Sequence, residues 1–316
     1  TAFPFVNEYK KLKKFFKNDN FNIKIVKTAQ SLKEKDLLKL IKNIDGVICG
    51  DDEFNKDVLK KANKLKVLSK WGTGLDSIDL RTCKKLNIKV YNTPGAFTES
   101  VATQALAFIL NFNRKILLNH NNIKNGIWNK PQGSTLINKN IGIIGLGSIG
   151  SRISEMLIPF KCQIFGNDIK KINLKKLKNL NLKIKPKSFI FAKSDIIIIA
   201  TDLNDTTRHL INTKTSKLIK NKPLLVNIAR GPIINEKVLV SLLKKKIITG
   251  ACLDVFENEP ININSKVTKF KNVILTSHNA FNTTEEVNKV HVNTYKNLVL
   301  GLKNEKFKKK TKNLRK

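Results

Sequence analysis

No run of apolar residues in this 316-residue sequence approaches the ~20 needed to cross a bilayer. The strongest, Ile196–Ala200, is only as long as a strand, so no membrane partner is expected. A secretory h-region is also missing, because Glu8, Lys10, Lys11, Lys13 and Lys14 interrupt the amino end. The sequence has no initiator methionine, and the start at Thr1 is read as a trimmed end. The four cysteines, Cys49, Cys83, Cys162 and Cys252, form no CxxC pair and no Cys/His ligand spacing. That excludes a zinc site by motif, and no metal is expected. Without an export signal they read as buried free thiols in a cytoplasmic protein.

Arginine is scarce too. Lys and Arg number 60 against 24 Asp and Glu, a net charge of +36. Yet arginine occurs only at positions 81, 114, 152, 208, 230 and 315. Readers of bases and phosphates lean on the guanidinium fork, which lysine lacks. The lysines are spread along the whole chain among Asn and Ile, so the charge reads as solvated lysine faces rather than a specific nucleic-acid surface. The dense run from Lys303 to Lys316 reads as a frayed terminus.

The apolar content of 41% fills two cores, and a chain of this length calls for two domains. Both halves alternate short β-rich runs with amphipathic stretches, the pattern of parallel α/β architecture. In the first half, strands are predicted at Asn22–Val26, Gly46–Cys49, Lys66–Ser69 and Ile88–Tyr91, with helices at Leu32–Ile44, Asn55–Ala62 and Ile78–Leu86. A long helix is predicted over Thr98–Leu118 and a loop over Asn121–Leu136. In the second half, strands at Ile141–Ile144, Gln163–Gly166, Ile196–Ala200, Leu224–Ile228, Thr249–Leu253 and Val273–Leu275 suit a six-stranded dinucleotide-binding sheet. A last helix, Thr284–Leu302, is expected to turn back onto the first domain.

Gly145-Leu146-Gly147-Ser148-Ile149-Gly150 is a GxGxxG, weak alone but here preceded by an apolar strand and followed by a helical stretch. Gly145 permits the tight turn, Gly147 lets the backbone approach a pyrophosphate, and Gly150 allows close helix–strand packing. The phosphates then meet the amides of Ser148 and Ile149 at the positive end of the helix. Asp168 follows Gly150 by 18 residues, close to the ~20 expected of the carboxylate that binds the adenosine ribose. A carboxylate there repels a 2′-phosphate, favouring NAD over NADP, although Lys170 and Lys171 follow directly. Three further strands end in a polar residue: Arg230, Glu259 within Asp254–Pro260, and His278. At the carboxyl edge of an open α/β sheet these form a set for oxidising a hydroxy acid. His278 moves the hydroxyl proton, Glu259 holds its second nitrogen, and Arg230 grips carboxylate and carbonyl oxygens.

With these segments in place the sequence resembles the D-isomer-specific 2-hydroxyacid dehydrogenase family over nearly its whole length. The matching segments are Gly145–Gly150, Val226–Gly231, Leu253–Pro260 and Thr276–Ala280. The resemblance implies Arg230, Glu259 and His278 as the catalytic set, Asp168 at the ribose and Asp254 at the nicotinamide carboxamide. It further implies a Rossmann NAD-binding domain, residues 98–283, inserted into a flavodoxin-like substrate domain of residues 1–97 and 284–316. A homodimer formed through the cofactor domains is also implied. Lys70-Trp71-Gly72-Thr73-Gly74 resembles the substrate-carboxylate loop, where the amides of Gly72, Thr73 and Gly74 form an anion nest. The Gly-Thr-Gly version with Lys70 before it looks most like phosphoglycerate dehydrogenases, so 3-phosphoglycerate is the expected substrate. Glyoxylate or hydroxypyruvate reduction and a D-lactate-type activity are the alternatives within the family. Thr103 and Asp202 depart from the pattern, which usually has a glutamate and a proline there. No family strand precedes Phe3, and no regulatory domain is expected after Leu302. A non-enzymatic alternative, an NAD-sensing DNA-binding corepressor, would call for a lesion in a catalytic set that is intact.

Overall fold

The computed structural model describes residues 1–16, 21–28, 30–170 and 182–303. Two compact units emerge, one from Thr1–Ala96 with the segment from Thr283 onward, the other from Phe97–Asn282.

The first unit holds a parallel sheet of β1 (Gly46–Cys49), β2 (Val67–Lys70) and β3 (Lys89–Tyr91), in that order. Helix Lys56–Lys61 begins where Asn55 Oδ1 accepts from Asp57 N and Val58 N, a cap worth about 1 kcal/mol. It turns Val58 and Leu59 into a core with Phe54, Leu68 and Ile78, each large apolar side chain contributing about 1.5–3 kcal/mol on burial. Helix Thr284–Leu302 packs on the sheet, where Gly301 lies so close to Val67 that a Cβ would come within 2.3 Å of it.

Asn22–Val26 is not a strand. Ile23 and Ile25 are 38% and 43% exposed, so the alternation has no face to bury. The free edge of β1 is instead met by the amino end, with Thr1 N and Ala2 N both donating to Ile48 O.

The second unit is a seven-stranded parallel sheet. Its strands are β4 (Asn140–Ile144), β5 (Gln163–Asn167), β6 (Leu182–Ile184), β7 (Ile196–Ile199), β8 (Leu224–Asn227), β9 (Gly250–Leu253) and β10 (Val273–Leu275). The order β10-β9-β8-β7-β4-β5-β6 reverses direction at β4, which is the topological switch point of a dinucleotide fold. β4, β7, β8 and β9 are buried on both faces and read as continuous apolar runs. Edge strand β6 escapes the sequence reading because Leu182-Lys183-Ile184 is short and two of its three residues are exposed.

The long helix ends at Arg114 rather than Leu118. Lys115 turns left-handed at φ 57°, and a second helix, Ile116–Lys124, occupies part of the expected loop. Neither Gly nor Pro marks this break. Asn111 Oδ1 accepts from Leu117 N and starts the second helix. All four cysteines are free and buried, and burial pushes the Cys49 thiol up to about 12. No helix among the described residues is long and apolar enough to cross a membrane.

Candidate active site

The loop after β4 excludes side chains at two glycines. Gly145 sits at φ 94°, and a Cβ on Gly150 would stand 2.0 Å from the Gly145 carbonyl oxygen. Gly147 differs, since a Cβ there would meet nothing within 4 Å. The loop is open on that side. Ser151 N donates to Gly147 O at 3.0 Å, so the amides of Ser148, Ile149 and Gly150 precede the first intrahelical bond of Ser148–Leu157. Open space against three amides at a helix amino end fits the pyrophosphate of a dinucleotide.

Asp168 closes this corner. Its Oδ2 accepts from Leu146 N at 2.7 Å and its Oδ1 from Lys170 N at 2.8 Å. A carboxylate oxygen has two acceptor positions, so each keeps one for a ribose hydroxyl. Lys170 takes part through its backbone, and Lys171 lies outside the described residues.

Past β8, Asn227 holds the turn by donating to Arg230 O and accepting from Ala229 N. Arg230 Nη1 donates to Ala229 O at 2.8 Å. At Gly231 a Cβ would stand 1.7 Å from Phe256 O, so only glycine lets the Arg230 segment lie against the segment that carries Glu259.

Asp254, buried after β9, organises the next turn. Its Oδ1 accepts from Thr276 Oγ1 and Asn279 N, its Oδ2 from Ala280 N, and its backbone oxygen from His278 N at 2.7 Å. These bonds hold His278 left-handed at φ 51°, a conformation uncommon for a residue other than glycine. Asp254 lies under the His278 turn, and one acceptor position remains on Oδ2, compatible with the cofactor carboxamide expected there.

Glu259 and His278 come together. Glu259 Oε2 stands 2.7 Å from His278 Nδ1, and its Oε1 accepts from Phe256 N at 2.9 Å. A carboxylate only accepts, so Nδ1 carries a proton and Nε2 is the ring nitrogen not engaged by Glu259. Glu257 anchors the same segment by pairing with His209 Nε2 at 2.6 Å and accepting from Glu236 N at 2.9 Å. The sequence reading missed Glu257, His209 and Thr276. Thr276, two residues before His278 at the end of its strand, was the only legible one.

In the first unit, the turn after β2 keeps its carbonyls pinned and its amides open. Gly72 O accepts from Thr93 N and Thr93 Oγ1, and Thr73 O from Asn92 Nδ2. Among the described residues nothing accepts from the amides of Gly72, Thr73 or Gly74. Three successive open amides suit an anion. Lys70, at the end of β2, precedes this turn. Its side chain is only 4% exposed, and its ammonium lies 2.6 Å from Asp51 Oδ1. Its charge is already matched.

Residues 106–280 match the model of the D-isomer specific 2-hydroxyacid dehydrogenase NAD-binding domain. The chain belongs to this family. It is 35% identical to the glyoxylate reductase of Thermofilum pendens over 86% of this chain and 82% of that one. It is 33% identical to the D-3-phosphoglycerate dehydrogenase of Methanocaldococcus jannaschii, over 82% of this chain and half of that one. Its fold is that of the D-lactate dehydrogenase from Aquifex aeolicus, with a TM-score of 0.82 at 23% identity over 93% and 94% of the two chains. This dehydrogenase is therefore an NAD-dependent oxidoreductase of 2-hydroxy acids.

Proposed function

We propose that this dehydrogenase reduces a small unphosphorylated 2-oxo acid of the glyoxylate or hydroxypyruvate class, using Arg230, Glu259 and His278 as its catalytic set. The observation that carries the choice of substrate is the Lys70–Asp51 pair. A phosphorylated substrate would draw on a cation beside the carboxylate loop, and the ammonium at that position is paired with a carboxylate 2.6 Å away. The Thermofilum pendens relative is a glyoxylate reductase, which supports the same choice.

The nicotinamide, when bound, supplies the hydride to C2. Every other task falls to the chain. In the second unit His278 delivers a proton from Nε2 to the C2 oxygen, and Glu259 at 2.7 Å from Nδ1 stabilises the imidazolium that precedes this transfer. Arg230 stabilises negative charge developing on the C2 oxygen and aligns the carboxylate. In the first unit the amides of Gly72, Thr73 and Gly74 hold the substrate carboxylate, while Lys70 serves to keep the end of β2 in place. In the second unit Gly145–Gly150 cradles the pyrophosphate, Asp168 takes the ribose diol, and Asp254 fixes the His278 turn. Under this reading Thr1–Ala96 with the last helix is the substrate domain and Phe97–Asn282 the cofactor domain.

NADH oxidation measured against glyoxylate, hydroxypyruvate, pyruvate and 3-phosphohydroxypyruvate tests the substrate. The unphosphorylated acids of the first two kinds should exceed the phosphorylated one by about tenfold or more in kcat/KM, the worth of one charge-assisted contact. A preference for 3-phosphohydroxypyruvate would overturn the assignment. In the same assay Asp168→Ala should lower kcat/KM with NADH by about tenfold to a hundredfold, since two hydrogen bonds to the ribose are lost. Wild-type enzyme preferring NADPH would remove Asp168 from that role.

The helix Ile116–Lys124 buries none of its side chains in the monomer, and Trp128 just beyond it is 84% exposed. With Ile116, Leu117, Leu118 and Ile123 this gives a second copy of the chain an apolar seat, and we read the active form as a homodimer. Sedimentation of the purified protein at the monomer mass would refute it. The cytoplasm, where its thiols stay reduced, is the compartment this reading assigns.

A further inference from the structure

The carboxy-terminal helix is bonded into β2 and into the turns that follow β2 and β3. Ser69 Oγ donates to Thr294 O at 2.7 Å, Trp71 Nε1 to His291 Nδ1 at 3.0 Å, and Asn297 Nδ2 to Asn92 O at 3.1 Å. Asn92 in turn donates to Thr73 O. Of these, the Trp71–His291 bond joins two buried side chains, and His291 is 2% exposed. Phe5 packs edge-on against the imidazole at 5.4 Å. Burial holds the imidazole below the ordinary histidine range, with Glu8 opposing the shift.

Because Nδ1 accepts the indole proton, the ring's own proton sits on Nε2, and that nitrogen is buried without a partner among the described residues. An apolar residue at 291 would avoid burying an unsatisfied donor. What histidine offers there is the acceptor for Trp71, the residue that immediately precedes the open amides of Gly72–Gly74. We propose that His291 is a positioning residue for the substrate: by fixing the Trp71 indole it sets the direction of those amides. The inference rests on the reading of Gly72–Gly74 as the carboxylate site.

Kinetics of the full chain with glyoxylate and NADH test it. His291→Leu and Trp71→Phe each break the bond, and each should raise the KM for glyoxylate about tenfold, as coupled neighbours do. The kcat and the KM for NADH should stay within about twofold, since neither residue belongs to the cofactor unit. His291→Asn, which can present an acceptor at the δ position, should restore the KM to within about threefold, whereas His291→Gln should not. The double variant should be no worse than either single one. A KM unchanged in both single variants overturns the proposal, as does a failure of His291→Asn to restore it. So does an equal loss across kcat and both KM values, which signals damage to the fold. Gly72→Ala separates the two readings, because Gly72 sits at φ 119° and a side chain there disturbs the amides directly. If Gly72→Ala leaves the KM unchanged, the carboxylate reading fails and the inference with it. If it raises the KM while His291→Leu and Trp71→Phe do not, only the positioning role fails.

Discussion

Replacing His278 with alanine is expected to lower kcat by about 10²–10⁴-fold, the worth of a positioned acid–base group. The Nδ1 of this imidazole is committed to Glu259 at 2.7 Å, leaving Nε2 as the nitrogen that exchanges a proton with the C2 oxygen. Losing it removes an interaction made chiefly in the transition state, so the KM for the 2-oxo acid should move far less than kcat. Glu259→Gln should follow the same pattern with a smaller loss, because the amide preserves hydrogen bonding and removes the charge that favours the imidazolium. Steady-state rates for both variants, with circular dichroism to show an intact fold, decide the matter. A His278→Ala enzyme within tenfold of wild type would place the acid–base group elsewhere.

Arg230→Lys is expected to lose about 10²–10³-fold in kcat/KM, comparable with deleting one preorganised donor at a developing oxyanion. Charge is conserved in this substitution and the planar fork is not. Both kcat and KM should suffer, because the guanidinium meets the carboxylate in the ground state and the C2 oxygen as charge builds. Arg230→Ala should be worse, and added guanidinium ion should restore part of its activity. An enzyme with lysine at 230 and near-normal kcat/KM would show that a point charge suffices and that the fork does not matter. Gly231 is the residue to keep intact in such work, since Phe256 O occupies the place of its Cβ.

Much of the cofactor unit was legible in the sequence, for reasons that belong to local physics. Ile141–Ile144, Ile196–Ile199 and Leu224–Asn227 are buried on both faces, and a strand buried on both faces advertises itself as an unbroken apolar run. The glycines at 145 and 150 were legible because sterics demand them there, whatever surrounds the loop. Elements at edges were not. β6 offers only Leu182 and Ile184 around a lysine, and Asn22–Val26 alternates like a strand without a sheet to join. The helix break at Lys115 carries no Gly or Pro, so it could be seen only in its backbone angle.

The candidate site divides in the same way. Residue identity and chain order were enough to nominate Arg230, Glu259 and His278, because each chemistry needs that residue type after a strand. What those residues do to one another needed coordinates. The sequence could not show that Asp51 matches the charge of Lys70, that Asp254 is engaged under the His278 turn, or that Trp71 meets a histidine 220 residues away. By itself the sequence determined the fold class and the class of reaction, and it nominated the glycine loop, all from short-range pattern and residue type. Only the tertiary structure decided which charges are already paired and which amides remain open. Pairing depends on contacts between segments that sequence order leaves far apart, and a buried ammonium has quite different chemistry with or without its carboxylate.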